Sequence, residues 1–451
     1  MSPETTWLIK LKTAIYHKSN PSHVLLGVLS FEASSLMAKL LHIHHYLSDQ
    51  NMTTLRNHSI RLEGLRKIVS NDDVFLLGLA CAEIVDSLKS ISNSIARFGS
   101  NCRDPNLQSF HHFLHQFAET GNDLNNWILS GKEMDARVKQ MDRYVDATAT
   151  LRKQIDQLAQ LEAGLRKSVK LSGSKRDEQN VVEELQQKIS WQKKQIKYQK
   201  ERSLWNKSFD SVTLTLARFS FTILFRIKLV FGIGHARPIT SLPRSLSASA
   251  AVCPSSPISA ISRRESFTKD TSFTKECGFF EMNSRMLKPP STTLGTAGLA
   301  LHYSNLIIVM EKMIRSPHLV GMDARDDLYA MLPQSVRSSL RSRLKGIGFA
   351  ASDPVLGAEW SDALGRILGW LCPLAVNMIK WQGERSFEQH NNNNNQVQKT
   401  NVLLFQTLYF ANKEKTEAAI TELLVGLNYI WRFEREVNAK SFCCTNVQTS
   451  S

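Results

Sequence analysis

Two histidine clusters are the first candidates for chemistry: His42, His44 and His45, then His111, His112 and His115. A spacing of four puts His111 and His115 on one helical face, as a two-ligand metal site needs. No Glu or Asp lies between them, which a helical zinc hydrolase would require, so ordinary half-buried histidine is the better reading. Gly295 and Gly298 precede a helix, where free N–H groups can hold an anion. The Lys-Ser/Thr of a phosphate loop is missing and no strand comes before, so these glycines read as a helix start and close packing. Gly346-Ile347-Gly348 reads as a helix stop. Neither a nucleophile elbow nor a kinase motif set is present. The sequence therefore predicts no catalytic, metal or cofactor residues, and a protein that is not an enzyme.

The seven cysteines are Cys81, Cys102, Cys253, Cys277, Cys372, Cys443 and Cys444. They are odd in number, scattered and without a C-x-x-C pair. That argues against a disulfide framework and a zinc module, and for a reducing compartment. Cys443-Cys444 are candidates for acylation and read more simply as two mobile thiols.

Basic residues carry the stronger signal. The chain has 451 residues and a formal charge of +15, which favours an acidic partner: nucleic acid, an anionic membrane face or an acidic protein. After Pro333, Val336, Leu340 and Leu344 share one helical face. Arg337, Arg341 and Lys345 line its flank, with Arg343 beside them. Arg337, Arg341, Arg343 and Lys345 are the candidate partner-binding residues, suited to an acidic protein or lipid surface. A solvated flank of a core helix is the competing reading. A second cluster, Lys193, Lys194, Lys197, Lys200 and Arg202, suits nuclear import or phosphate contact. Trp191, Tyr198 and Trp205 recur every seven residues there, which fits a packing seam better than base stacking, so nucleic acid is not the expected partner. Ser247, Ser256 and Ser266 sit in kinase-substrate contexts (Arg244-Ser245-Leu246-Ser247, Ser256-Pro257, Arg263-Arg264-Glu265-Ser266). A phosphate there adds about −1.5 to −2 charge to a basic chain.

Helices must position these groups. Apolar residues at three- and four-residue spacing recur, and period-two alternation is absent, so the fold class is all-α. Residues 22–100 read as a bundle of three helices, the first following Asn20-Pro21-Ser22, the second carrying Leu55, Leu62, Leu65 and Val69. The third is capped at Asn71-Asp72-Asp73 and buries Leu77, Ala80, Ile84, Leu88, Ile91 and Ile95. Residues 101–231 form a long charged helical region. Met134 to Lys207, turning at Ser172-Gly173-Ser174, reads as a coiled-coil-like hairpin within the chain. Residues 232–290 read as a disordered Ser/Pro-rich linker, with order resuming at Thr292. A second helical domain spans 291–382, an Asn-rich flexible tract 383–400 and a closing helix 401–438. Tails fill 1–21 and 439–451. Residues 212–231 imitate a membrane span, but Arg218, Arg226 and Lys228 would each cost roughly 2.5–3.5 kcal/mol at mid-bilayer. A buried or interfacial helix is expected instead, and no transmembrane helix. Met1 to Lys12 lacks a signal-peptide pattern, so secretion is not expected.

Three blocks carry a family resemblance. The first runs from about Val24 to Asp73 and includes Leu26-Gly27-Val28-Leu29-Ser30-Phe31-Glu32-Ala33 and Glu63-Gly64-Leu65-Arg66-Lys67-Ile68. The second is Thr293-Leu294-Gly295-Thr296-Ala297-Gly298-Leu299-Ala300-Leu301-His302-Tyr303, with Asp326-Asp327-Leu328-Tyr329, Leu332-Pro333 and Leu340-Arg341. The third lies within 403–439 and includes Glu417-Ala418-Ala419-Ile420 and Tyr429-Ile430-Trp431-Arg432-Phe433-Glu434. Together they resemble the plant phytosulfokine-simulator family. The resemblance implies a regulator that promotes vegetative growth, tied to phytosulfokine and brassinosteroid signalling and placed in the nucleus. It implies signalling proteins as partners and no catalytic residues. Some members start with a myristoylation signal for the plasma membrane; Ser2 departs from it. The alternative is a peripheral scaffold on the cytoplasmic face of the plasma membrane, using 334–345 and 212–231. Oligomeric state stays open.

Overall fold

The computed structural model describes residues 25–171, 176–232, 278–345, 354–390 and 402–447. The caps and turns expected at 20–22, 172–174 and 346–348, the linker serines and the Asn run lie outside the described residues, as do the side chains of Cys443 and Cys444.

The N-terminal block holds α1 (Ser30–Tyr46), α2 (Asp49–Asn57), α3 (Glu63–Ile68) and α4 (Asp73–Gly99). The expected second helix is thus two short ones, joined through a 3-10 turn at Ser59–Arg61 and an extended Leu62. That break lets both pieces bury apolar residues, Leu55 and Met52 on one, Leu65 and Ile68 on the other. Asp72 caps α4 by accepting the Val74 N–H at 2.8 Å, as the sequence predicts. α5 (Pro105–Gln108) and α6 (Phe110–Thr120) follow, α6 ending on Gly121 at φ 73°, a backbone conformation that glycine adopts without strain.

α7 (Gly131–Leu171) and α8 (Arg176–Arg202) pack on each other. Gln192 donates to the Gln154 carbonyl at 3.2 Å, and Lys193 pairs with Glu162. The hairpin expectation therefore holds. The seam differs in part: Ile189, Gln192 and Ile196 are buried, while Trp191 and Tyr198 are exposed and Trp205 packs on Phe31. Seven-residue recurrence is common to every position of a heptad, so it does not say which face turns inward.

α9 (Phe209–Phe231) is a core helix on α4 and α1. Phe219, Phe221, Ile223, Leu224 and Ile227 are buried. Its cations find acceptors at the edge: Arg226 on Asp49, Arg218 toward Glu133 and the Trp127 carbonyl, and Lys228 on the Phe117 and Ala118 carbonyls. Partial burial lowers the Lys228 pKa.

The linker expected over 232–290 does not reach 290, and its part at 233–277 lies outside the described residues. Residues 278–290 are ordered, and α10 (Phe279–Met286) packs on α4 and α6 with Phe279 and Phe280 buried. Two adjacent Phe residues show no period, but each supplies a large apolar surface to bury. α11 (Ala300–Arg315), α12 (Met322–Met331) and α13 (Gln334–Leu344) follow. α14 (Pro354–His390) and α15 (Lys413–Val447) complete the chain. α14 thus runs through 383–390, expected to be part of a flexible tract, and α15 runs past 438 into the expected tail. Among the described residues there is no strand, only isolated bridges at Leu25–Ser208 and Thr293–Asn412.

By length and composition, Val355–Arg385 could cross a membrane. This is not the segment whose sequence imitates a span. Leu364, Leu371, Leu374, Ala375 and Met378 are buried, and α14 packs on α11, α15 and α3.

One core joins both ends of the chain. At Gly64 the joint is tightest: an added Cβ would lie 2.3 Å from the Trp370 carbonyl oxygen and 2.8 Å from Leu374. Gly365 faces open space. Gly64→Ala is expected to destabilise by roughly 1–3 kcal/mol through overpacking. Gly365→Ala, in an exposed helix interior, should gain about 0.5–1 kcal/mol. Denaturant unfolding of the two variants checks the contrast.

Candidate functional site

One backbone hydrogen bond crosses the joint between the N- and C-terminal blocks, and three more brace its C-terminal side. The Asn412 N–H donates to the Ile68 carbonyl at 2.7 Å, tying the end of α3 to the start of α15. The Leu294 N–H donates to the Ala411 carbonyl at 2.9 Å, the Gly295 N–H to Tyr409 at 2.9 Å, and the Lys413 N–H to Thr292 at 2.8 Å. Gly295 is required here: a Cβ would sit 2.5 Å from the Tyr409 carbonyl oxygen. Gly298 turns the chain into α11 at φ 68°. The glycines therefore serve close packing and chain reversal, as the sequence reading favours.

Glu83 of α4 lies beside this joint, 8% exposed. Its carboxyl accepts the Leu404 N–H at 2.6 Å and the Trp381 indole N–H at 3.3 Å. Burial pushes its pKa up to about 7, against the lowering effect of those two hydrogen bonds and of Arg385. Glu83 forms part of the wall of a 330 Å³ cavity with Lys39, His42, Asp86, Trp381 and Arg385. The cavity mixes both charge signs. It offers a titratable hydrogen-bonding wall. Glu83 belongs to no motif, and one signal in the sequence marks it. It is the lone acid between Leu76 and Val85, and it lies three and four residues from buried Ala80 and Leu79.

The predicted partner-binding residues are brought onto one helix but not left equally free. The Arg337 guanidinium donates to the Ala330 carbonyl at 2.6 Å and lies 5.2 Å from the Tyr329 ring centre. Arg341 Nε donates to the Tyr329 hydroxyl at 3.0 Å. Arg343 pairs with Glu422 of α15 at 2.7 Å. Lys345 is exposed at the helix end. Val336 and Leu340 are buried, as their spacing predicts. Ser247, Ser256 and Ser266 lie outside the described residues.

His111 and His115 do share a face, with ring centres 4.4 Å apart, and His115 rests on Phe280 at 4.8 Å. Burial, then the nearby His111, lowers the His115 pKa. Among the described residues no three His, Cys, Asp or Glu side chains converge as a metal site would need.

Glu83 yields a pH prediction. Its folded pKa is raised, so between about 4.5 and 7 the folded state holds a proton that the unfolded state has lost. Its contribution to stability is then fully present below about 4.5 and falls as pH rises through 7, by on the order of 3 kcal/mol. Glu83→Gln keeps an acceptor for Leu404 and should flatten this fall. Equal pH slopes for the two proteins in denaturant unfolding would contradict the assignment.

Two family profiles match the chain. The domain of unknown function DUF3475 covers residues 28–84, and the protein of unknown function DUF668 covers 293–380. These are the blocks that meet at the joint. Three Arabidopsis thaliana proteins are similar over most of this chain. PSK SIMULATOR 1 and PSK SIMULATOR 3 are each 26% identical over 90% of it, and PSK SIMULATOR 2 is 24% identical over 91%. The aligned region covers 56%, 56% and 60% of those relatives' own lengths. No solved structure matches. With a DUF3475 match ahead of a DUF668 match and similarity running over about 90% of the chain, the comparisons support the resemblance to the PSK simulator family.

Proposed function

We propose that the protein is a non-enzymatic regulator of plant growth, acting as an interaction adaptor in phytosulfokine-related signalling. The observation that carries this reading is the joint. DUF3475 and DUF668 regions share one core, so their helices form a single body whose outward faces are available to other proteins. Support for the signalling context comes from the names of the similar Arabidopsis proteins. A brassinosteroid link, a nuclear location and tuning through Ser247, Ser256 and Ser266 belong to the same proposal.

The partner contact is assigned to α13 and its end, where Arg341, Arg343 and Lys345 are exposed and Arg337 is half-buried. Cations held in place by Tyr329 and Glu422 lose less side-chain freedom when an acidic partner binds. The membrane alternative is less favoured, because 212–231 is a core helix.

Growth of plants lacking the gene and its paralogues tests the function. Their response to added phytosulfokine peptide should fall, and the full chain should restore it. An unchanged response overturns the proposal. A chain with Arg337, Arg341, Arg343 and Lys345 changed to Gln should fold and enter the nucleus yet restore growth poorly. Full restoration would make α13 a solvated flank.

A further inference from the structure

The 330 Å³ cavity beside the joint lies between α1, α4 and α14, and its volume suits a small molecule. Its apolar lining, Leu36, Ile43, Ile84 and Ile91, is buried and forms the floor. Charge is sorted by depth. Glu83 is 8% exposed, whereas Lys39 and Arg385 are exposed and stand at the mouth. Arg385 stacks on the Trp381 ring at 4.3 Å. Lys39 pairs with no carboxylate among the described residues. Two half-buried carboxylates complete the charged lining. Asp86 takes the Ser284 hydroxyl at 3.4 Å, and Glu384 stands next to Arg385.

Glu83 has acceptor capacity left over. An ionised carboxylate offers about four acceptor positions. Two are used, on the Leu404 N–H and the Trp381 indole N–H. Tyr46 lines the same cavity, near enough to feel the charge of Glu83.

We infer that this cavity binds a small zwitterion, an α-amino acid with an apolar side chain, its ammonium group on Glu83 and its carboxylate on Lys39 and Arg385. The mixed charge selects this class. A ligand of one sign would meet like charge as well as opposite charge, whereas a zwitterion can meet its complement at both ends. A buried charge needs a partner. Burial favours the protonated form of Glu83, and an arriving ammonium takes the place of that proton. The ligand's side chain then covers the apolar floor. A metal cation fits less well, because it calls for several converging ligands, and none converge among the described residues. This inference goes beyond the proposed signalling function and uses none of the α13 residues.

The test is titration calorimetry of the full chain with L-phenylalanine and L-leucine, beside phenethylamine and hydrocinnamate. The last two keep the ring of phenylalanine and carry only its positive or only its negative charge. At least one of the amino acids should bind, and phenylalanine should bind roughly tenfold tighter than either single-charge analogue. Glu83→Gln, and separately Lys39→Gln with Arg385→Gln, should each weaken amino-acid binding about tenfold. Lys39 and Arg385 are exposed, so the second variant should keep its melting temperature, and the test does not depend on how Glu83→Gln folds. Absence of heat with both amino acids at millimolar concentration overturns the inference. Binding of phenethylamine or hydrocinnamate as tight as that of phenylalanine also overturns it, and makes the cavity a site for one charge alone. Amino-acid binding that both variants retain overturns it as well. Growth assays read none of these outcomes, so failure here leaves the signalling proposal standing.

Discussion

The hydrogen bond from the Asn412 N–H to the Ile68 carbonyl marks the constraint on which the architecture depends. Residues more than three hundred positions apart must come to one place before either block is covered. A buried peptide group without a partner costs about as much as a lost hydrogen bond. Segment 409–413 meets that demand on two sides, since it also binds the 292–295 strap. Gly64 and Gly295 allow the approach, each placed where a Cβ would collide with a carbonyl oxygen. Glu83 adds a side-chain acceptor at the same junction, and burial raises its pKa because the charged form is poorly solvated there.

The same economy governs α9. Its run of Phe, Ile and Leu suits a membrane or a protein core equally well, and its three cations separate the two. Each meets a carbonyl or a carboxylate on a neighbouring segment. α14 also has the length and apolar character of a span, and its buried leucines pack within the protein. For both helices, hydropathy measures a tendency to leave water, and the surrounding packing shows where each one goes.

α7 and α8 are charged helices that pack chiefly on each other. Their shared seam uses small numbers of apolar residues and one buried glutamine. The largest side chains of α8 are left at the surface.

The sequence by itself determined the all-α class, most helix positions, the α4 cap at Asp72, the hairpin and the inward face of α13. These follow from periodicity and local hydrogen bonding, which act within a few residues. It also carried the family resemblance, since the order of its blocks is a property of the chain. Tertiary structure alone decided that the two blocks share a core, because contacts across hundreds of residues leave no local period. It decided that Phe279 and Phe280 belong to an ordered helix, because two adjacent rings show no period and only the surface waiting on α4 and α6 reveals their role. It turned Trp191 and Tyr198 outward, because a seven-residue repeat is shared by both faces of a helix. And it made Glu83 a group whose charge depends on its surroundings, because burial belongs to the packed molecule and not to the residue.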